Sequence, residues 1–189
     1  MPKMCDQRTV GVLVTNERGQ TLLIRRGTAP SGFAPVAGHA DLDTAGDHSA
    51  LATLADVATA EVSEEVGLDV TTLSATSVTE RWIPTWCRRT RPAGVTESGH
   101  FWTVYTATAT GSLRPDPRET QGAGWYTKAE MQRLAARTAA FAIGRLSVRE
   151  WEQHPGLEPV WCLLGCELRI VTLAPRFHSA IRNLAQMAT

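Results

Sequence analysis

Ala60-Glu61-Val62-Ser63-Glu64-Glu65-Val66-Gly67-Leu68 sets three carboxylates within five residues and closes on a glycine. Upstream, Leu51, Ala55, Ala58, Val62 and Val66 recur at helical spacing and fall within about 80° of one another, an apolar stripe able to pack on a sheet. The spacing predicts a helix that begins near Asp47 or Ser49, either of which can cap it, and ends at Gly67, the expected left-handed stop. On that helix Glu61, Glu64 and Glu65 are i, i+3 and i+4 neighbours. Each like-charged pair costs on the order of 0.2–0.5 kcal/mol, and the last turn disfavours anions through the helix dipole. The carboxylates lie beside the apolar stripe, not opposite it. A helix laid out this way anchors one flank in a core and offers the next to a cleft, where a cation would offset the repulsion.

Working outward, Val10–Val14 and Thr21–Ile24 are short apolar runs separated by the turn residues Asn16-Glu17-Arg18-Gly19, which predicts a β-hairpin. Phe33-Ala34-Pro35-Val36-Ala37-Gly38-His39 reads as an extended segment entering a glycine turn. Beyond Gly67, Val70–Val78 and Arg81–Ile83 turn β-branched, and His100–Thr108 and Ala123–Tyr126 are further strands. Thr127-Lys128-Ala129-Glu130 is a capping box opening a helix through about Arg137. The tail from residue 138 reads as helix mixed with short extended pieces, with a terminal helix over 176–187. No repeat or linker composition divides the chain, so residues 1–189 are expected to form one domain, with 138–189 a C-terminal elaboration.

Lys plus Arg and Asp plus Glu each number 19 in the 189 residues. A net charge of zero argues against a nucleic-acid partner, and no apolar run approaches the roughly 20 residues of a membrane span. The first residues lack the apolar core of a secretory signal, so a cytoplasmic location is expected. Of the four cysteines, Cys162 and Cys166 have a spacing that can ligate zinc, with Cys87 and His100 as partners, but Trp161-Cys162-Leu163-Leu164 reads more simply as packed core. His39 and His100 read as structural histidines.

Glu61 through Leu68 resembles the second half of the Nudix box, Arg-Glu-aliphatic-x-Glu-Glu-x-Gly-aliphatic. The leading hairpin, the Pro35–His39 turn, and Glu119 ahead of Trp125 are also similar to that family, over roughly residues 8–137. Counted without gaps the box would start at Gly46, with Ala52 in place of its upstream glutamate; aligned through Pro35–His39 it starts at Gly38 and holds eight extra residues. The second register is preferred, because the segment before Gly38 also matches. In both, Ala60 stands where the family has an arginine, and Asp41 and Asp43 are the acids available to replace the missing glutamate.

The resemblance implies an α+β fold, an α/β/α sandwich around a mixed central β-sheet. It also implies hydrolysis of a phosphoanhydride in a nucleoside diphosphate linked to another moiety, water attacking phosphorus, with Mg²⁺ or Mn²⁺ held by Glu61, Glu64 and Glu65. Hard divalent cations and carboxylates suit that chemistry on general grounds. The general base is Glu65 or the loop residue Glu119. Arg25 and Arg26 at a strand end are candidate phosphate contacts, as are Arg88, Arg89 and Arg91. Gly38 lines the substrate site, and Trp82, Trp86 and Trp102 are candidates to stack on a base. Homodimers are common in that family. The loss of the box arginine leaves a second reading open, a Nudix-fold module that binds a nucleotide without cleaving it. An isomerase of the isopentenyl diphosphate type, which shares the fold, is disfavoured because Cys87 is not placed for it.

Overall fold

Strand β1 (Arg8–Thr15) is buried from Thr9 to Val14. Successive strand residues face opposite sides of a sheet, so a strand buried at each position has cover on both faces. The computed structural model, which describes residues 3–28, 31–41 and 53–187, shows what provides it. After β1 come β2 (Thr21–Arg26), β3 (Phe33–Ala34), β4 (Val36–His39), α1 (Leu54–Val66), β5 (Asp69–Ala75), β6 (Arg81–Pro84), β7 (Gly99–Thr110) and β8 (Thr120–Tyr126). The helices α2 (Lys128–Ala142), α3 (Val148–Gln153), α4 (Pro159–Glu167) and α5 (His178–Ala185) complete the chain, with a 3₁₀ turn at Pro175–Phe177.

The strands form one mixed sheet flanked by helices, the α+β layering expected. β1 runs parallel to β7 along its whole length, Arg8 facing Phe101 and Thr15 facing Thr108. The other pairings are antiparallel: β4 on β1, β5 and β6 on β7, and β3 and β8 on β2. The expected hairpin is corrected in part. Its turn exists, with the Gly19 amide donating to Asn16 at 2.9 Å, but β1 and β2 pair only at Thr15 and Thr21. The edge of β1 is taken by β4, and β2 diverges to pair with β8.

Helix α1 starts at Leu54 behind a capping box, in which Thr53 Oγ1 accepts from the Asp56 amide at 3.2 Å and the Asp56 carboxylate accepts from the Thr53 amide at 2.8 Å. The caps expected at Asp47 and Ser49, and Leu51, Ala52, Asp43 and Gly46, lie outside the described residues. Ala58, Val62 and Val66 are buried as the stripe requires, and Ala55 is half-buried. Gly67 ends the helix in the left-handed conformation at φ 69°. The Thr127–Glu130 capping box opens α2, which runs past Arg137 to Ala142. The terminal helix is shorter than expected, the 3₁₀ turn followed by α5.

The tail packs as deeply as the strands. Leu157, Val160, Trp161, Cys162, Leu164 and Ile181 share one hydrophobic cluster with β1, β2 and α1. Trp161 sits edge-to-face on Trp102 at 5.6 Å and lies over Gly11, where a Cβ would come within 2.6 Å of the indole. That close approach is why β1 carries a glycine amid its valines. The tail also fastens to β3, since the Phe33 amide donates to Gly156 and the Glu158 amide to Phe33, each at 2.8 Å.

Candidate active site

The last two turns of α1 face a cavity of about 550 Å³, open to the surface, whose wall includes Glu61, Glu64, Glu65 and Glu119. Three features place these side chains. First, β4 lies against α1, and Gly38 lets it approach so closely that any Cβ there would overlap the Glu61 carboxylate. Gly38 is thus the residue that makes room for Glu61, and it fits the register in which the box begins there. Second, the loop after β7 docks on the end of α1: the Arg114 amide donates to the Val66 carbonyl at 2.8 Å and the Asp116 amide to the Glu65 carbonyl at 2.9 Å. These bonds satisfy carbonyls that a helix end leaves open. Third, the Gly27 amide donates to the Glu119 carbonyl at 3.1 Å, holding the Glu119 loop beside the end of β2.

The carboxylates differ in setting. Glu64 is exposed, Glu61 half-buried and Glu65 only 9% exposed. Among the described residues, Glu65 Oε2 has no hydrogen-bond partner. Burial, and then the neighbouring Glu61, push Glu65 up to about 8, against the opposing pull of Arg26 and the Ala37 amide. Burial, and then Glu64, Asp41 and Glu119, push Glu61 up to about 7. Buried carboxylates crowded in this way hold protons for want of positive charge.

Some positive charge is present. Arg26 acts on Glu65 and Arg89 on Glu61, so two cations from outside α1 stand where the exposed Ala60 supplies none. Arg89 also pairs with Asp41 at 2.5 Å, and Lys3 pairs with the same carboxylate at 2.5 Å. Asp41, expected as a possible replacement ligand, is therefore engaged in ion pairs.

Of the other expected site residues, Arg26 lines the cavity but Arg25 does not. Arg25 instead donates to the Glu152 carbonyl of α3 at 3.3 Å, because adjacent residues of a strand face opposite sides. Its expected phosphate contact is replaced by a tail contact. Trp102 reaches the cavity wall, yet it is 5% exposed and packed on Trp161, which makes it core and not an open stacking platform. Trp86 lines the cavity and is half-buried, whereas Trp82 packs at a tilt against Phe101 at 4.9 Å and lies elsewhere. Arg88 reaches the cavity; Arg91 donates to the Thr96 carbonyl at 2.9 Å.

Glu158 was not legible in the sequence as a site residue. It lies on the cavity wall, 4% exposed, with Oε2 lacking a partner among the described residues. Burial raises its carboxyl and Arg26 opposes the rise. It precedes Pro159 at the start of α4, and its side chain makes no cap bond. Cys162 is buried in α4 as part of the core, as its setting in the sequence suggests. Cys87 and His100 instead meet Cys5 and His39. Burial and then His100 hold His39 down to about 3, and burial and then Arg89 hold His100 down to about 4.

Among solved structures, similarity extends to a MutT protein from Methanosarcina mazei Go1, at 17% identity over 70% of this chain and 83% of that one, with a TM-score of 0.48. The E. coli dihydroneopterin triphosphate pyrophosphohydrolase matches at 18% identity over 67% and 85%, TM-score 0.49. A C. elegans Ap4A hydrolase matches at 15% over 67% and 83%, TM-score 0.42. A comparison with curated proteins gives no match. The model of the NUDIX domain matches residues 6–145, a span that holds the acidic end of α1, Gly38 and Glu119. The chain therefore belongs to the Nudix family.

Proposed function

We propose that the protein hydrolyses a phosphoanhydride in a nucleoside diphosphate linked to another moiety, with Mg²⁺ or Mn²⁺ held by Glu61, Glu64 and Glu65. The observation that carries this reading is the convergence of the three carboxylates on one cavity, two of them withdrawn from solvent in part or in full and raised above their usual range, and one with an oxygen lacking any partner among the described residues. The donor set fits the ions: hard cations take carboxylate oxygens, and a divalent charge there would offset the repulsion. When bound, such an ion would neutralise charge on the phosphate oxygens and lower the pKa of water.

The chain's own residues supply the rest. Arg26 and Arg88 place positive charge on the wall, where diphosphate oxygens would lie. Glu65 is buried and suited to holding an ion, whereas Glu119 is exposed on the rim and suited to accepting the proton of the attacking water. The half-buried Trp86 is the aromatic placed to meet a base. The four free cysteines fit a reducing cytoplasm; among the described residues no helix is long and apolar enough to cross a membrane.

The test is a panel of dinucleotides, nucleotide sugars and nucleoside triphosphates, incubated with purified protein and Mg²⁺ or Mn²⁺ in ¹⁸O-water. Metal-dependent release of a mononucleotide with label on phosphorus is expected. Nucleotide binding by calorimetry without turnover of any panel member would favour a binding module and refute the proposal.

A further inference from the structure

Cys5, His39, Cys87 and His100 each offer one ligand atom, and these four atoms all lie within 4.8 Å of one another. They come from four separate places: the arm before β1, the end of β4, the loop after β6, and the start of β7. His39 Nε2 and His100 Nε2 are 3.0 Å apart, Cys5 Sγ and His100 Nε2 3.4 Å, and Cys87 Sγ and His39 Nε2 3.5 Å. A tetrahedral zinc ion with Zn–S near 2.3 Å and Zn–N near 2.0–2.1 Å needs ligand atoms roughly 3.3–3.8 Å apart. These three separations are close to those edges, and the other three pairs lie within 4.8 Å.

Two further observations concern the sulfurs and the rings. The Gln7 amide donates to Cys5 Sγ at 3.3 Å and the Arg89 amide to Cys87 Sγ at 3.4 Å. In both cases the donor lies two residues beyond the cysteine, a turn that aims an N–H where a thiolate would gain from it. Gln7 takes φ 58° in making its turn, an uncommon angle for a residue with a Cβ. The histidines meet through the same nitrogen of each ring, so at most one of the two can carry a proton in that contact. A cation between them would accept a lone pair from each.

We propose that Cys5, His39, Cys87 and His100 form a closed, tetrahedral zinc site that staples the N-terminal arm and the loop after β6 to β4 and β7. Two thiolates and two imidazoles are the soft, four-coordinate donor set that zinc takes in structural sites. Cys5 and His100 are 2% and 5% exposed, and protein fills all four positions, which leaves none for substrate. The arm and loop already meet through backbone bonds, the Cys5 amide to Thr90 at 2.8 Å and the Thr90 amide to Lys3 at 3.3 Å. The stapled loop is the one that presents Trp86, Arg88 and Arg89 to the cavity, and His39 adjoins Gly38. The ion would hold the rim of the carboxylate site without taking part in its chemistry.

The experiment uses the full chain purified without chelator and analysed for metal by mass spectrometry. About one zinc per chain is expected, falling below about a tenth in Cys5→Ser and Cys87→Ser. The Glu64→Gln and Glu65→Gln variants should keep theirs, which distinguishes this site from the carboxylate cluster on the wall of the same cavity. Should the cysteine variants fail to fold, Co²⁺ exchanged into the unaltered protein decides, because tetrahedral thiolate-bound cobalt has intense charge-transfer and ligand-field bands that carboxylate-bound cobalt lacks. Absence of both zinc and those bands would overturn the proposal. So would loss of zinc from the glutamate variants with retention in the cysteine variants, or a Cys5–Cys87 disulfide in freshly purified protein.

Discussion

Replacing Glu65 by glutamine should stabilise the metal-free protein at high pH while removing its response to divalent metal. Without a cation the Glu65 carboxyl rises from 4.5 to about 8. In the folded state it therefore keeps its proton to a higher pH than in the unfolded chain, where it titrates near its ordinary value. Between those two values the folded state binds more protons, so stability is fully present below about pH 4.5 and is lost as pH rises toward about 8. Each unit is worth about 1.4 kcal/mol, which sets a ceiling of roughly 5 kcal/mol. Sharing the penalty with Glu61 and admitting water to the cavity reduces this to about 2 kcal/mol.

Glutamine cannot ionise, so it escapes that loss and resembles the protonated acid that is present at low pH. Thermal unfolding without added divalent metal should give equal midpoints for the two proteins near pH 5, with the variant about 4–8 °C higher near pH 9. Added magnesium should reverse the order, because a ligand that binds only the folded state at about 100 times its Kd adds roughly 2.7 kcal/mol and the variant has lost a donor. A variant that is destabilised to the same degree at both pH values would refute the idea that Glu65 is held uncompensated for a cation.

Gly38→Ala drives a methyl into the Glu61 carboxylate; since that group is the end of a flexible side chain, the melting point should fall by only a few degrees, while kcat/KM drops on the order of 10²-fold through misplacement of Glu61, as steady-state kinetics would show. Trp161→Ala should cost about 3–5 kcal/mol by denaturant titration, because the indole fills the space over Gly11 and Trp102. Thr53→Ala removes the cap of α1 and should cost about 1 kcal/mol in the same titration.

Local features of the fold were legible because local chemistry fixes them. The Gly67 stop needs a left-handed residue, and the Thr127–Glu130 box closes within one turn. The splaying of β1 and β2 was not, because it depends on β4 and β8, strands from outside the hairpin that take their edges. The acidic end of α1 could be read from its spacing, but the depth of Glu65 and the opposing charges of Arg26 and Arg89 depend on tertiary packing. Arg25 and Arg26 look equivalent in sequence, and strand alternation sends only one to the cavity. Glu158 and the Cys5–His39–Cys87–His100 cluster are assembled from separated segments, with no short spacing to announce them.

The central claim is that the carboxylates at the end of α1 hold the metal for pyrophosphate cleavage. It is tested most directly by measuring magnesium-dependent turnover of a cleaved panel substrate by Glu64→Gln and Glu65→Gln. A fall on the order of 10²–10³-fold in each, corresponding to about 3–4 kcal/mol of lost transition-state stabilisation with the folded structure retained, is expected. Turnover undiminished in both variants would contradict it.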